Sequence, residues 1–362
     1  MYNLLQLPNL KEACELHFGV LNDYIRYRVK SIQKENSNFS DMLSDRRITQ
    51  GTDIYDINQR IRDFILANSI QLGEIRLSII LKGKPNELYI VNEEFEDYIL
   101  SDQRPFGIIN GNTREYIRNN FSKSGYTDLF SIYKELNLIF NYIDFKSWKP
   151  NRTYSSYKMA EMLNMRACTY CNRDYILVHR SDDDGTLLCP QYDHWYPQSK
   201  FPLLQVSFYN LIPSCGSCNS SVKSDSVLRP DEYCHPYMEW NNDDSFYYTY
   251  YHHKEIGGYK IIAKSSHNNS ALLKTVKKLK IDQMYNGHLP ELLDIIDLKR
   301  AYGENYLKIL KNSFPKLNSF KTSDVYRMHF GTEIQEKDFY KKPMSKFKKD
   351  ILLKLKLIDD DE

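Results

Sequence analysis

The stretch that decides the fold runs from residue 168 to residue 225 and contains four short motifs. These motifs are CTYC (168–171), QYDHWYP (191–197), FYNL (208–211) and CGSCN (215–219). Two C-x-x-C pairs thus enclose an Asp-His pair and one asparagine, and a second asparagine follows the last cysteine. Each motif is common by itself, but all four in this order form a specific signal.

The spacing of the cysteines is typical of a zinc site. A C-x-x-C pair on a tight turn directs two thiolates at one ion, and two such pairs supply the four sulfurs of a tetrahedral zinc. We therefore predict one structural Zn²⁺ bound by Cys168, Cys171, Cys215 and Cys218. A redox-active C-x-x-C of the thioredoxin type would need a βαβ context, which the sequence does not show.

The segment between the two pairs exceeds the roughly 15–20 residues of the shortest zinc patterns, and an inserted β-hairpin would account for the difference. Residues 175–179 and 186–189 are short apolar runs, and residues 182–185 between them have the composition of a turn. The second strand would lead into Asp193. The polar run from Asn219 predicts the start of a helix, which gives the order strand, strand, helix.

In this order the motifs resemble those of the HNH endonucleases, in the ββα-metal variant that carries a four-cysteine structural zinc. The resemblance covers roughly residues 160–230. It rests on Cys168, Cys171, Asp193-His194 followed by Pro197, Asn210-Leu211, Cys215, Cys218 and Asn219. The family often has a lysine three residues after the last asparagine, whereas Lys223 here comes four residues after it.

The resemblance implies a role for each of four polar residues. His194 would be the general base for the attacking water, and Asn210 would hold its ring or backbone through the amide group. Asp193 and Asn219 would present oxygens to one catalytic cation, Mg²⁺ or Mn²⁺. With an unperturbed imidazole, activity would fall below about pH 6.5. Because neighbours on a regular strand face opposite ways, Asp193 and His194 can share a site only if the strand ends there.

A zinc deaminase is excluded by its own signature, which is H-x-E followed by P-C-x-x-C. Here Trp195 and Tyr196 follow His194, and Ser214 separates Pro213 from the next cysteine. A different alternative stays open, namely a zinc-stabilised nucleic-acid-binding or protein-interaction module without hydrolytic activity. Such a module would have no need of the four polar residues, and their presence favours the nuclease.

The composition describes a globular chain that is long enough for two or three domains. Of its 362 residues, 41% are hydrophobic and 27% are charged. The formal net charge of +2 lacks the strong basic bias of a constitutive nucleic-acid binder, so any nucleic-acid surface must be a local patch.

The sequence predicts a cytoplasmic protein without membrane contact. No stretch approaches the ~20 apolar residues of a membrane span, and the apolar run at residues 4–8 is too short for a signal peptide. Four of the seven cysteines have zinc spacing, which fits a reducing compartment. We expect Cys14, Cys189 and Cys234 to be buried thiols.

The whole chain is predicted to be an α+β protein in three parts. Residues 1–150 would form an α-rich N-terminal domain of unknown role, and residues 151–230 the HNH module with its zinc. Residues 231–362 would form a hairpin and a mainly helical C-terminal region. The boundary near residue 150 rests on the linker-like composition of residues 149–153.

Local patterns fill in the two flanking parts. Apolar residues at spacings of three and four predict a helix over residues 10–32. Alternation at 75–81 and the apolar run at 88–91 predict two strands, joined by a turn at 83–86. The aromatic run at 246–251 and the apolar run at 259–262 predict a second hairpin.

The expected partner is nucleic acid, most of all DNA, bound through phosphate contacts. Two lysine clusters are candidates for these contacts. They comprise Lys274, Lys277, Lys278 and Lys280, and Lys341, Lys342, Lys346, Lys348 and Lys349. No sequence-reading motif is evident, which leaves room for a targeting or regulatory protein partner. The resemblance implies a role in restriction, mobile-element or phage-defence systems.

Overall fold

A computed structural model gives the fold as helices with two small antiparallel sheets, which confirms the α+β class. The predicted linker at 149–153 and the predicted turn at 182–185 lie outside the described residues. The structure describes residues 1–29, 59–101, 113–147, 154–179, 188–223, 225–241, 243–255, 257–267 and 270–358.

The described part of the first 150 residues is helical. Its helices are α1 (Leu10–Arg28), α2 (Gln59–Leu66), α3 (Arg76–Lys82), α4 (Pro85–Ser101), α5 (Arg114–Asn120), α6 (Thr127–Ile139) and α7 (Tyr142–Ser147). Helix α1 buries Leu21 and Ile25 in the core, as its three-and-four spacing predicts.

The predicted strands at 75–81 and 88–91 are wrong, because both segments are helical. Leu77, Ile80 and Leu81 lie on α3 and are buried. A short helix that is covered on most sides carries apolar residues all round. Over a few residues this pattern cannot be told from the alternation of a strand.

The predicted turn at 83–86 is instead the boundary between two helices. Pro85 is the first residue of α4, where the missing backbone N–H leaves no hydrogen bond unmade. Gly83 follows α3 so closely that an added Cβ would lie 2.5 Å from the carbonyl oxygen of Ile79. The Gly and Pro signals were therefore real, but they separate helices rather than strands.

The middle of the chain contains the strand, strand, helix order. After helix α8 (Ser156–Leu163), strand β1 (Gln191–His194) pairs antiparallel with β2 (Leu211–Ser214), with Asp193 opposite Ile212. A π-helical segment, Ser217–Lys223, follows directly.

The two strands of this unit are not the ones that the sequence predicted. Of the predicted hairpin, the described residues show an antiparallel bridge between His179 and Leu188, in which each N–H donates to the other carbonyl over 3.0 Å; residues 186–187 lie outside the described ranges. The strand that carries Asp193 pairs instead with the segment just before the second cysteine pair. Pairing between distant segments is decided by tertiary packing, which a local pattern does not encode.

The second predicted hairpin is confirmed. Strands β3 (Tyr247–His253) and β4 (Gly258–Lys264) pair antiparallel, with Tyr250 opposite Ile261. The remaining helices are α9 (Ala271–Lys278), α10 (Ile281–Met284), α11 (Leu289–Tyr302), α12 (Tyr306–Ser313), α13 (Thr322–Phe330) and α14 (Ser345–Lys354). Within the described ranges, no helix is both long and apolar enough to cross a bilayer.

Segments from both ends of the chain pack around the first cysteine pair. The backbone N–H of Tyr2 donates to the carbonyl of Thr169 (2.8 Å), and the Tyr285 hydroxyl donates to the carbonyl of Cys171 (2.8 Å). The amide of Asn172 donates to the carbonyl of Phe339 (2.8 Å). The cysteine turn therefore lies inside the folded chain. The boundaries proposed at residues 150 and 230 stay a prediction.

Candidate metal centre and candidate active site

The four predicted cysteines form one buried cluster. The sulfur atoms of Cys168, Cys171, Cys215 and Cys218 all lie within 4.8 Å of one another. The sulfurs of Cys171 and Cys215 are 3.9 Å apart, and a tetrahedral zinc with bonds of about 2.3 Å would separate two sulfurs by about 3.8 Å. The donor set and its size therefore fit a structural zinc.

The backbone around the cysteines is arranged for thiolates. The N–H of Arg173 donates to the sulfur of Cys171, and the N–H of Cys215 donates to the sulfur of Cys168, both over 3.3 Å. Asn172, which lies between Cys171 and Arg173, adopts a left-handed conformation (φ 50°), which asparagine tolerates better than most residues. Burial raises the pKa of Cys168 well above its usual range, so a cation would be needed to keep this sulfur deprotonated.

The carboxylate of Asp193 is buried and engaged by two side chains. The Tyr170 hydroxyl donates to its Oδ2 over 2.6 Å, and the ammonium of Lys223 lies 3.3 Å from the same oxygen. Burial raises the pKa of Asp193, while the charge of Lys223 opposes that shift. Tyr170 lies between the two cysteines of the first pair. Lys223 ends the π-helical segment, which begins at Ser217 inside the second pair. Each cysteine pair is thus connected to Asp193.

The position of Lys223 depends on the π-helical segment. A π-helix bonds residue i to residue i+5 and so takes one more residue into its turn than an α-helix does. The extra residue lets a lysine four positions after Asn219 face Asp193. Lys223 is 1% exposed and also donates to the carbonyl of His194. Burial lowers the pKa of Lys223, and Asp193 opposes that shift.

His194 ends strand β1, so its ring and the side chain of Asp193 can reach the same cleft, as the sequence required. Its Nε2 is 2.9 Å from the carbonyl of Gln205, and the Tyr142 ring packs edge-on against it at 4.5 Å. Because a carbonyl only accepts, Nε2 carries the proton of the neutral ring and Nδ1 keeps the lone pair.

The pKa of His194 departs from the value expected for an unperturbed imidazole. Burial, aided by the charge of Lys223, lowers it to about 4, although the bond to Gln205 opposes the shift. The ring is therefore neutral, and able to accept a proton, well below the predicted limit near pH 6.5. The sequence could not show this, because the shift comes from burial.

Asn210 is fully buried and holds the loop that follows His194. Its Oδ1 accepts from the N–H of Tyr196 (2.7 Å), and its Nδ2 donates to the carbonyls of Tyr196 (3.2 Å) and Leu204 (2.8 Å). The carbonyl that meets His194 belongs to the next residue, Gln205. Asn210 thus fixes the backbone next to the imidazole, and none of its side-chain hydrogen bonds goes to the ring.

The next carbonyl of this loop, that of Val206, accepts a hydrogen bond from an N-terminal helix. His17 on α1 is buried, and its Nε2 donates to the carbonyl of Val206 over 2.7 Å. Its Nδ1 accepts from the Tyr154 hydroxyl, also over 2.7 Å. Consecutive carbonyls, Gln205 and Val206, therefore bind one imidazole each.

Three of the predicted residues line one cleft of about 370 Å³: Asp193, His194 and Asn219. The Nδ2 of Asn219 donates to Gln191 Oε1 over 2.9 Å, which leaves its Oδ1 available to a cation. Asp193 lines the same cleft, and carboxylate and amide oxygens are of the type that Mg²⁺ and Mn²⁺ prefer. Lys146 also lines the cleft, whereas Asn210 lies outside it.

The predicted lysine clusters do not line this cleft. They also do not line a second cleft of about 970 Å³, which shares Asp225 with the first. Several of these lysines have partners within the protein. Lys274 pairs with Glu232 (3.3 Å), and Lys348 donates to the carbonyl of Phe330 (3.0 Å).

Sequence reasoning missed several residues of this region. The sequence held one hint of a role for Tyr170, because a C-x-x-C turn does not require a tyrosine at that position. It held no such hint for Gln205, Tyr142 or His17, because these residues reach His194 or its loop only through tertiary packing. Comparisons of the chain with family models, with curated proteins and with solved structures found no match.

Proposed function

We propose that this chain is a metal-dependent HNH-type endonuclease that hydrolyses phosphodiester bonds in DNA. One observation carries the proposal: Asp193, His194 and Asn219 line a single cleft beside a buried four-cysteine cluster. They lie on a strand, strand, helix unit in the order that the family resemblance implies. A zinc site that served stability alone would not need this set.

His194 is the proposed general base. Its Nε2 donates to the carbonyl of Gln205, so Nδ1 is the nitrogen that takes the proton from the attacking water. With its pKa lowered to about 4, the ring is neutral at physiological pH and can accept a proton, and it is a weaker base than an unperturbed imidazole. Asn210 keeps the carbonyl in position by holding the residue before it.

Asp193 and Asn219 are the proposed ligands of one divalent cation, each through a side-chain oxygen. When bound, Mg²⁺ or Mn²⁺ would supply charge stabilisation to the phosphate and to the leaving oxygen. Tyr170 and Lys223 orient the carboxylate for this task. The four cysteines would hold a structural zinc at the base of the unit and take no part in the chemistry.

Direct measurement of cleavage tests this function. Plasmid DNA is incubated with purified protein and Mg²⁺ or Mn²⁺, and His194→Ala is compared with wild type. The variant should keep its zinc and its fold, and cleavage should fall by about 10²–10⁴-fold, the usual contribution of a general base. Exposed His179 provides a matched control, and His179→Ala should cleave normally.

The cation site can be separated from the base in the same assay. Asn219→Ala should also lose cleavage, but by weaker cation binding, so a higher Mn²⁺ concentration should restore part of it. The same treatment should not restore His194→Ala. Full cleavage by zinc-loaded His194→Ala protein would end the proposed mechanism.

One observation favours the alternative, a zinc-stabilised binding module without hydrolysis. Lys223 and Tyr170 both engage Asp193 in the structure, as they would if the carboxylate were only a structural anchor. In that case Mg²⁺ and Mn²⁺ would not support cleavage by the wild type, and His194→Ala would change nothing but stability.

A further inference from the structure

A second and larger cleft adjoins the candidate active site. It has a volume of about 970 Å³, and Asp225 lines both clefts. The turn at residues 197–200 joins them as well, since Pro197 lines the smaller cleft and Lys200 the larger one. The two clefts thus adjoin at Asp225 and at this turn, and together they are called the groove.

Four cationic side chains from three separate parts of the chain line the larger cleft. Arg114 and Arg118 come from α5, Lys200 from the loop after β1, and Arg229 from the segment after the π-helix. Residues far apart in sequence converge on this groove. None of them belongs to the lysine clusters that the sequence singled out.

The two arginines of α5 are held by acidic side chains. Arg114 pairs with Asp97 (2.6 Å) and with Glu93 (2.8 Å), and Arg118 pairs with Glu96 (2.6 Å). Their charges are therefore largely compensated within the protein.

Lys200 and Arg229 carry the charge that a ligand could use. No carboxylate in the described part of the chain forms an ion pair with the side chain of Lys200. Arg229 has 54% of its side chain exposed and pairs only with Asp231, which is itself 59% exposed. Exposed pairs of this kind contribute little and open easily.

Acidic residues also line the groove beside Lys200 and Arg229. Glu93 is already paired with Arg114. Glu115 and Asp225 also line the groove and are exposed, so the groove is mixed in sign. Asp225 lies where the two clefts meet and would repel a phosphate there. A bound strand would place phosphates at Lys200 and Arg229, which line the larger cleft and not the smaller one.

We propose that this groove binds the phosphodiester backbone of the nucleic-acid strand that enters the candidate active site, with Lys200 and Arg229 as phosphate contacts. The inference rests on the proposed function and extends it to the substrate path. A strand is favoured over a single nucleotide because the cleft that adjoins the candidate active site is more than twice as large as the cleft that His194 lines.

The test uses the full-length, zinc-loaded His194→Ala protein, which binds substrate without cutting it. Binding of fluorescein-labelled oligonucleotides of about 4 and about 16 nucleotides is measured over a series of salt concentrations. Single-stranded DNA, duplex DNA and single-stranded RNA form separate arms, because all three present the same backbone. Lys200→Glu and Arg229→Glu are added singly to this protein.

Two control variants match the two test variants. Arg300 is 67% exposed and pairs with Asp297, as Arg229 pairs with Asp231, but it lies outside the groove. Lys308 is exposed, belongs to neither predicted lysine cluster and lines neither cleft. Arg300→Glu and Lys308→Glu should leave binding unchanged.

The longer oligonucleotide should bind more tightly, and each groove variant should weaken it. Each lost contact should lower the slope of log affinity against log salt by about 0.9 on duplex or about 0.7 on single strands. The groove is rejected if Lys200→Glu and Arg229→Glu behave like the controls, or if inorganic phosphate competes as well as a long strand. Cleavage by the wild-type protein is measured in parallel. A wild type that cleaves while the groove variants bind normally rejects the groove alone, and one that neither binds nor cleaves rejects the nuclease as well.

Discussion

At the scale of single residues, Asp193 shows how the two cysteine pairs reach the candidate active site. Tyr170 approaches its carboxylate from the first pair and Lys223 from the second. A buried carboxylate that accepts a short hydrogen bond has few orientations available. In the proposed cation site, the Tyr170 hydroxyl and the Lys223 ammonium would together set the orientation in which Asp193 meets the cation.

This arrangement predicts the effect of Tyr170→Phe. The ring stays buried and the zinc stays bound, but Asp193 loses one donor, so Mn²⁺ affinity should fall by about 10–100-fold, the usual effect of removing a supporting partner of a metal ligand. Mn²⁺ binding is measured by electron paramagnetic resonance, without reference to cleavage. Tyr175→Phe is the control, because Tyr175 is 62% exposed. Equal Mn²⁺ affinity in wild type and Tyr170→Phe would refute the positioning role.

At the scale of secondary-structure elements, the four-cysteine cluster connects segments that are too short to be stable alone. Strands β1 and β2 have four residues each, and the π-helical segment has seven. An isolated pair of strands is marginal in water. Bound zinc would fix the start of the helix and the end of β2 to the turn at Cys168.

We therefore expect purified protein to contain one zinc per chain by elemental analysis, and Cys215→Ser to lose most of it. Structural zinc sites contribute on the order of 10 kcal/mol in isolated modules, so the variant should unfold at a clearly lower temperature. Cys234→Ser is the control, since Cys234 is also buried but lies outside the cluster. A correctly folded protein without zinc would contradict the prediction.

At the scale of the whole molecule, the helices of the first 150 residues support the loop between β1 and β2. His17 binds the carbonyl of Val206, and the Tyr196 hydroxyl donates to the carbonyl of Pro85 (3.0 Å). The guanidinium of Arg118 lies 5.1 Å from the ring centre of Phe201. The N-terminal part is thus packed against the candidate active site, whatever further role it has.

Burial of His17 makes the stability of the folded chain depend on pH. Desolvation lowers its pKa from 6.5 to about 4. Below pH 6.5 the unfolded chain therefore takes up a proton that the folded chain does not. Stability should fall as pH drops from about 6.5 to about 4, by about 3 kcal/mol for this residue.

The measurement compares chemical unfolding of wild type and His17→Gln at a series of pH values. The glutamine can still donate to Val206 but does not titrate, so the variant should show a shallower pH dependence. Other groups titrate in both proteins, and the difference between the two curves isolates His17. His267 is 46% exposed, and His267→Gln should follow the wild type. Parallel curves for wild type and His17→Gln would refute the account.

The sequence by itself was sufficient for the features that depend on local chemistry. Two C-x-x-C pairs place four thiolates around one ion, so the four residues of the cysteine cluster could be predicted from their spacing. Asp193, His194 and Asn219 were predicted as one set from the family resemblance, and the end of the strand at His194 lets Asp193 and His194 line one cleft. Their catalytic roles, and the family that they resemble, stay predictions.

Tertiary structure alone decided the features that depend on packing between distant segments. Residues 75–81, predicted as a strand, form helix α3 because they are buried on several sides. The strand that carries Asp193 pairs with residues 211–214, a pairing that the predicted hairpin of 175–179 and 186–189 did not include. Burial also moved the pKa of His194, and packing brought Gln205 to its ring. Strand partners, desolvation and the convergence of charges on the groove arise only when remote residues meet, because local spacing carries no information about which segments will be neighbours.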